Sequence, residues 1–165
     1  MTDPHSRNIT VVTVFGVLIK DESVLMIRRA KEPYKGLCTV PGGHKLHGES
    51  LVQAAVREMR EETGLTLINP VLAGMLEVEV DGDGRDFLSL YYRTRICEGS
   101  QKESPEGELF WLPWSEVDQT SNLHPAFLAL APYFQQDHLF FSGQTKVNSL
   151  GQGTYRLKSF RMQYP

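Results

Sequence analysis

Apolar and polar residues alternate in several stretches of the chain, and this period of two is typical of strands with one buried face. Residues 9–20 and 24–29 alternate in this way, are rich in β-branched residues and are separated by a polar turn. Residues 71–80 and 87–96 form a second pair, joined by the sequence DGDG, which predicts a hairpin. Shorter runs predict strands at 37–40, 109–112, 139–142 and 155–160, with a polar, glycine-rich loop between the last two.

A period of three to four residues marks a helix in the middle of the chain. Ser50 followed by Gln53 is the sequence of a capping box, and Gly64 is a typical residue just beyond the last turn of a helix. The segment between Ser50 and Gly64 is therefore predicted to be a helix of about four turns. Its apolar residues recur at helical spacing and predict one buried face: Leu51, Ala54, Ala55 and Met59.

A second helix is predicted at residues 125–136, and residues 113–117 are predicted to open a turn of helix. The apolar residues of the second helix are assigned to the core: Phe127, Leu128, Leu130, Ala131 and Phe134. The order of strands, helix, strands and helix predicts an α/β fold, with a mixed sheet and helices packed on its faces.

Composition narrows the class of protein. A chain of 165 residues with 41% hydrophobic and 22% charged residues is typical of one globular domain, here residues 1–165. A net charge of −3 provides no basic surface for polymeric nucleic acid, so none is expected as a partner. No apolar run is long enough to span or insert into a membrane, and the two cysteines are too few for a disulfide framework. A cytoplasmic protein without membrane association is expected.

Three carboxylates crowd one surface of the first predicted helix. Glu58 and Glu62 are four residues apart, and Glu61 lies beside them. A solvated acidic helix face is one interpretation of such a cluster. The other is a site for a hard divalent cation, since Mg²⁺ prefers oxygen ligands and bridges carboxylates to phosphates. Gly43 and Gly64, which flank the helix, favour the cation site.

The same segment carries a recognisable pattern. Gly43 is followed six residues later by Glu49, and then by Arg-Glu-Met-Arg-Glu-Glu at 57–62 and Gly-Leu at 64–65. Residues 43–65 resemble the signature of the Nudix hydrolases at every fixed position. Residues 106–143 are most similar to the 8-oxo-dGTP diphosphatase (MutT-type) branch of that family. The resemblance implies an α/β/α sandwich in which the signature forms a loop, a helix and a second loop.

The resemblance also implies a metal site. It assigns Glu58, Glu61 and Glu62 as ligands of Mg²⁺, or alternatively Mn²⁺, together with the backbone carbonyl of Gly43. Glu58 is also a candidate for the base that activates water, and the roles of ligand and base stay open. Glu106 lies five residues before Trp111, where related triphosphatases carry a further metal-binding or basic glutamate; a solvated loop residue is the alternative.

Arg57 is predicted to orient Glu58 and to pair with Glu49, which would hold the loop to the helix. The alternative is a surface salt bridge without a catalytic role. Arg29 is favoured over Arg28 for a place in the cleft, because alternation allows only one of the two to face it.

Substrate recognition is predicted outside the signature. Asn122 stands where the MutT-type enzymes read the base, and its amide offers both a donor and an acceptor to a purine edge. Trp114 or Phe127 is predicted to stack on the base, with a place in the core as the alternative for each.

The leading hypothesis is an Mg²⁺-dependent pyrophosphohydrolase. Water would attack phosphorus and convert a nucleoside triphosphate, with 8-oxo-dGTP as first candidate, to the monophosphate and pyrophosphate. Hydrolysis of ADP-ribose, another nucleoside diphosphate sugar or capped RNA is the second hypothesis. The third is a non-catalytic module that binds a nucleotide, although no signature glutamate is lost. The expected partner is a small nucleotide, bound by a monomer or homodimer.

Overall fold

The computed structural model describes residues 9–81, 84–150 and 155–164. Its long strands lie near the ends and in the middle of the chain, and one helix follows the fourth strand. The elements in chain order are β1 (Ile9–Lys20), β2 (Ser23–Arg29), β3 (Cys38–Thr39), β4 (Gly42–His44), α1 (Leu51–Thr63), β5 (Leu65–Leu67), β6 (Val71–Asp81), β7 (Arg85–Thr94), β8 (Cys97–Gly99), β9 (Gly107–Pro113), a 3-10 turn (Trp114–Gln119), α2 (Pro125–Phe134), β10 (Phe141–Ser149) and β11 (Tyr155–Tyr164).

One mixed sheet dominates the described part of the chain. Its strands follow the order β11-β10-β6-β7-β1-β2-β3, with β4 paired to β1 and β9 paired to β2. The long strand β1 pairs in parallel with β7, and near its end it turns into an antiparallel hairpin with β2, where Ile19 lies opposite Val24. β5 and β8 form a separate two-stranded sheet. The prediction of an α/β fold with a mixed sheet is confirmed.

The two helices pack on opposite faces of this sheet. Because side chains alternate along a strand, neighbouring residues of β1 point to different layers. Leu18 packs with Met59 of α1, whereas Val17 and Ile19 pack with the buried face of α2, which includes Leu130. All of these side chains are completely buried, and each contributes about 2 kcal/mol through the hydrophobic effect. None of the described helices is long and apolar enough to cross a bilayer.

Both ends of α1 are set by local sequence. The Ser50 hydroxyl accepts a hydrogen bond from the Gln53 backbone at 3.2 Å, and the Gln53 side chain accepts from the Ser50 backbone at 2.8 Å. This reciprocal pair is the predicted capping box. At the other end, Gly64 adopts a left-handed conformation with φ of 80° and donates to the Arg60 carbonyl. A side chain there would also collide with the Ser100 carbonyl, so glycine is required twice over.

Three expectations about the remaining elements need correction. The strand predicted at 139–142 is wrong in its bounds, because β10 runs from Phe141 to Ser149. Its polar residues pair with acidic residues of β6, as in the Lys146–Glu79 ion pair at 2.8 Å, so a strand forms where a loop was expected. Leu128 is 47% exposed and does not belong to the core. Residues 82–83 of the predicted hairpin turn, and 151–154 of the predicted loop, lie outside the described residues.

A buried arginine joins α2 to the sheet. Arg93, near the end of β7, is only 4% exposed. Its guanidinium donates to the carbonyls of Phe134 and Gln136 at 3.4 and 2.5 Å, and also to the carbonyl of Asp137. The last turn of α2 has no basic residue of its own. Arg93 therefore donates to carbonyls at the helix end, one of which, that of Gln136, also accepts from the Leu139 amide at 3.2 Å.

Candidate active site

The helix α1 brings two carboxylates against the backbone of β4. Glu58 and Glu62 lie one turn apart and share a face of the helix. The Gly42 amide donates to Glu62 Oε2 at 3.0 Å. A Cβ on Gly43 would lie 2.7 Å from the carboxylate of Glu58, so only glycine allows this approach. The two glycines thus form a cradle in which the carboxylates sit against bare backbone.

Arg57 connects the loop, the helix and one of these carboxylates. Its Nε and Nη2 donate to the two oxygens of Glu49 at 3.0 and 2.8 Å, and Nη1 donates to Glu58 Oε1 at 2.8 Å. A further bond reaches the His44 carbonyl at 3.0 Å. The guanidinium lowers the pKa of Glu49 to about 2, which keeps that carboxylate ionised. The contacts of Arg57 with Glu49 and Glu58 are those that the sequence predicts.

The ionised form of Glu62 is disfavoured in the folded protein. Its pKa is raised to about 7, mainly by burial and to a smaller extent by the carboxylates of Glu58 and Glu106, while the Gly42 amide and Arg29 act in the opposite direction. Glu58, Glu106 and Arg29 are therefore close enough to Glu62 to affect its charge.

The other signature glutamate lies outside this region. The Glu61 side chain is 56% exposed, and it pairs with Arg57 at 3.1 Å. The structure therefore places it at the rim of the cluster, on the side occupied by Arg57.

Two residues from the β2 side complete the cluster. Glu106 forms an ion pair with Lys31 at 2.8 Å. Arg28 turns away from the cluster and pairs with Glu108 at 3.0 Å, so Arg29 is the arginine that faces the carboxylates. The two arginines thus point in different directions, as alternation along a strand requires.

The three residues predicted to recognise the base are placed differently from one another. Asn122 lies beside the loop after β2, where its amide donates to the Gly36 carbonyl at 3.1 Å. Trp114 is partly buried against the core. Phe127 is 2% exposed and packs on Phe134, so the stacking role predicted for it is wrong and the core alternative holds.

Two aromatic residues near Arg29 were missed by the sequence reasoning. His124 caps α2, since its Nδ1 accepts a hydrogen bond from the Ala126 amide at 3.2 Å. The ring of Tyr34 meets the His124 ring edge-on, with 4.5 Å between the centroids. A polar residue followed by proline before an apolar run is a helix-start signal, and it could have identified His124 as a cap.

The chemistry of the cluster fits a hard divalent cation. Among the described residues, no three His, Cys, Asp or Glu side chains are gathered closely enough to enclose an ion. The carboxylates of Glu58 and Glu62 nevertheless share one glycine-lined cradle, where burial and the neighbouring carboxylates raise the pKa of Glu62. Oxygen ligands of this kind suit Mg²⁺ or Mn²⁺.

The metal-free protein is expected to become less stable as the pH rises from about 5 to about 8. Glu62 has a pKa of about 7 in the fold against 4.5 for a free glutamate, so between these values the folded state binds more protons than the unfolded state. The free energy of unfolding must then fall with rising pH, by roughly 3 kcal/mol at most. Urea unfolding in EDTA at pH 5 and pH 8 measures the change. An equal change in Glu62→Gln would contradict the assignment to this residue.

Comparison with known proteins agrees with this architecture. Residues 10–135 match the NUDIX domain. An ADP-ribose pyrophosphatase of Methanocaldococcus jannaschii is 46% identical over 105 residues, or 60% of this chain and 60% of that protein. The 8-oxo-dGDP phosphatase NUDT18 of Mus musculus is 30% identical over 102 residues, or 62% of this chain and 30% of that protein. The matched region thus spans less than two thirds of either relative.

Among solved structures, the mutator MutT protein of Bacillus halodurans has a TM-score of 0.80 with this chain. The superposition covers 93% of this chain and 97% of that protein at 24% sequence identity, so the likeness concerns the fold. The match to the NUDIX domain, at residues 10–135, extends over most of the chain and includes the glycines and glutamates of the candidate site. The chain therefore belongs to the NUDIX domain family.

Proposed function

We propose that the protein is a divalent-cation-dependent hydrolase that cleaves a P–O–P bond in a nucleoside diphosphate derivative. The observation that carries the proposal is the pair Glu58 and Glu62 in the glycine cradle, with Glu62 partly buried and its pKa raised to about 7. A fold gains nothing in stability from such a carboxylate, because burial penalises its charge. Functional sites are where groups of this kind collect.

The carboxylates of the site have two proposed roles, which are to hold the cation and to accept a proton from water. Glu58 and Glu62 would hold the cation together with the Gly43 carbonyl, with Glu61 and Glu106 as further carboxylates at its edge. When bound, a Mg²⁺ or Mn²⁺ ion would neutralise phosphate charge and make the attacking water more acidic. Water attacks phosphorus, a carboxylate of the cluster accepts its proton, and the bridging P–O bond breaks to give two phosphorylated products.

Two arginines support this reaction from different sides. Arg57 holds Glu58 in place by a hydrogen bond of 2.8 Å, while its paired bonds to Glu49 fix the guanidinium itself. Arg29 lies close enough to Glu62 to lower its pKa, and its Nε donates to the Pro33 carbonyl at 2.7 Å. The rest of its guanidinium is suited to a phosphate oxygen of the substrate.

ADP-ribose is the first substrate that we put forward, because the archaeal relative that shares 46% identity is an ADP-ribose pyrophosphatase. Nucleoside triphosphates and their oxidised forms, including 8-oxo-dGTP, are the second class. The mouse relative is named for 8-oxo-dGDP, and the amide of Asn122 can present a donor and an acceptor to a purine edge. The sequence alone had favoured 8-oxo-dGTP as the first candidate substrate and ADP-ribose as the second.

The expected result is cation-dependent cleavage of ADP-ribose to AMP and ribose 5-phosphate. The purified protein is incubated with Mg²⁺ or Mn²⁺ and with ADP-ribose, 8-oxo-dGTP, 8-oxo-dGDP and the ordinary nucleotides, and all products are resolved. Release of pyrophosphate from 8-oxo-dGTP, with ADP-ribose untouched, would move the protein to the second class. Binding without turnover of any compound would contradict the proposed activity and favour the nucleotide-binding module.

A further inference from the structure

The loop that follows β2, residues 30–37, contacts groups on both sides of the candidate site. We call it the β2–β3 loop. Its Lys31 forms the 2.8 Å ion pair with Glu106, and its Pro33 carbonyl accepts from Arg29 Nε at 2.7 Å. The loop thus holds one carboxylate of the cluster and the arginine that faces it.

The far end of the same loop is joined to the segment before α2. Gly36 accepts the hydrogen bond of the Asn122 amide at 3.1 Å. Immediately after the loop, the Cys38 amide donates to the Asn122 carbonyl at 2.7 Å, and the Cys38 carbonyl accepts from the His124 amide at 2.8 Å. Residues 122–124 are therefore hydrogen-bonded to the end of the β2–β3 loop and to Cys38, which follows it.

Between these anchors, Tyr34 is held in an unusual conformation. Its φ is 64°, in the left-handed region that non-glycine residues rarely adopt. That conformation places the Tyr34 ring edge-on to His124, with an interplanar angle of 83°. Such a geometry is the favoured one for an aromatic pair. The ring contact is thus a specific attachment of the β2–β3 loop to the body of the protein.

The His124 ring is oriented by a hydrogen bond of its own. Its Nδ1 accepts the hydrogen bond of the Ala126 amide, so the remaining proton of the neutral ring lies on Nε2. Burial and the nearby charge of Arg29 lower its pKa to about 4, which keeps the ring neutral at physiological pH. A neutral ring next to Arg29 adds no repulsion. His124 is therefore an uncharged side chain that caps the start of α2 and contacts Tyr34 of the β2–β3 loop.

We propose that His124 is a positioning residue for substrate binding, whose ring fixes Tyr34 and the β2–β3 loop and thereby holds Arg29 in place for the substrate phosphates. The kinetic part of this proposal rests on the proposed function. Because His124 acts through the loop, it contributes to KM, while Glu58 and Glu62, which lie on α1, are left unchanged.

Two substitutions separate the ring from the helix cap. His124→Asn supplies another good N-cap residue but removes the ring, and Tyr34→Leu removes the other partner. Each variant is expected to raise KM by about fivefold, with kcat within about twofold of wild type. The double variant should resemble either single one, because both remove the same contact.

Trypsin should cleave the folded variants after Lys35 about fivefold faster than the wild type, since the loss of the ring contact releases the β2–β3 loop.

His138→Asn is the matched control, because His138 is an exposed histidine beyond the end of α2. It should leave KM and cleavage unchanged. If the His124→Asn variant has the same KM and the same rate of tryptic cleavage as the wild type, the proposal is wrong. His124 would then serve only as the N-cap of α2. A fall in kcat at constant KM would also overturn the proposal. If no nucleotide is hydrolysed at all, the proposed function fails, and tryptic cleavage still decides whether the ring pair holds the loop.

Discussion

Replacing Glu62 by glutamine is expected to lower kcat by about 10³-fold, equivalent to roughly 4 kcal/mol of activation free energy. The side chain would keep its shape and could still accept the 3.0 Å hydrogen bond from the Gly42 amide. What it would lose is the negative charge that a cation and the reacting phosphate require. The same experiment on Glu58→Gln should give a comparable loss. Glu61→Gln should cost less, because Glu61 lies at the exposed rim of the cluster.

The same variant should be more stable than wild type when no metal is present. At pH 8 the wild-type carboxylate is ionised in a buried place next to Glu58 and Glu106, whereas the amide carries no charge. A variant that folds more stably and no longer turns over would show that the residue serves activity at the expense of stability.

Kinetics with a saturating divalent cation, together with urea unfolding in EDTA, measure both effects. Glu108→Gln is the control, because Glu108 is an exposed glutamate paired with Arg28 and turned away from the cluster. It should retain its activity and its stability within about 0.5 kcal/mol. Full turnover by both Glu58→Gln and Glu62→Gln would rule out the metal site that we propose.

Arg93→Met is expected to be the most destabilising of the single substitutions considered, by about 3 kcal/mol. Methionine fills a similar volume but donates no hydrogen bond, so the carbonyls of Phe134, Gln136 and Asp137 lose the guanidinium on which they converge. In a protein of this size such a change lowers Tm by about 6–12 °C. Catalysis should persist at low temperature, because Arg93 lies at the end of α2 away from the carboxylates.

Arg95→Met provides a matched comparison two residues along the chain. Arg95 pairs with Asp137 at 3.1 Å, yet both side chains are nearly half exposed. Surface ion pairs of this kind contribute about 0–1 kcal/mol. Thermal unfolding of the two variants under the same conditions tests the distinction, and equal losses of stability would contradict the role of Arg93 as a buried cap.

The parts of the fold that follow from local sequence were predictable. The capping box of Ser50 and Gln53, together with Gly64, gave α1 its bounds, since both signals act within a few residues of the helix. The order of strands and helices was enough to indicate a mixed sheet with helices on both faces. The glycines and glutamates of the signature identified a carboxylate cluster, because they occupy one continuous segment.

The features that depend on distant contacts could not be predicted in the same way. Nothing near Arg93 in the sequence indicates that α2 ends 41 residues later against its guanidinium. The polar residues of β10 read as a loop, because their partners on β6 are 67 residues away, as for Lys146 and Glu79. His124 was overlooked for the same reason, since its ring partner Tyr34 lies in a loop on another part of the chain.

The acidic residues of the proposed metal site lie mainly on α1, directly after the glycines of β4, whereas Arg29, Tyr34, Asn122 and His124 come from segments on either side. Exchange of the β2–β3 loop and residues 122–124 between relatives could therefore alter what is bound without disturbing how the bond is broken. A change in one loop would then be enough to give the proposed site a new ligand. Inheritance of the reaction and divergence of the substrate can thus proceed independently within one domain.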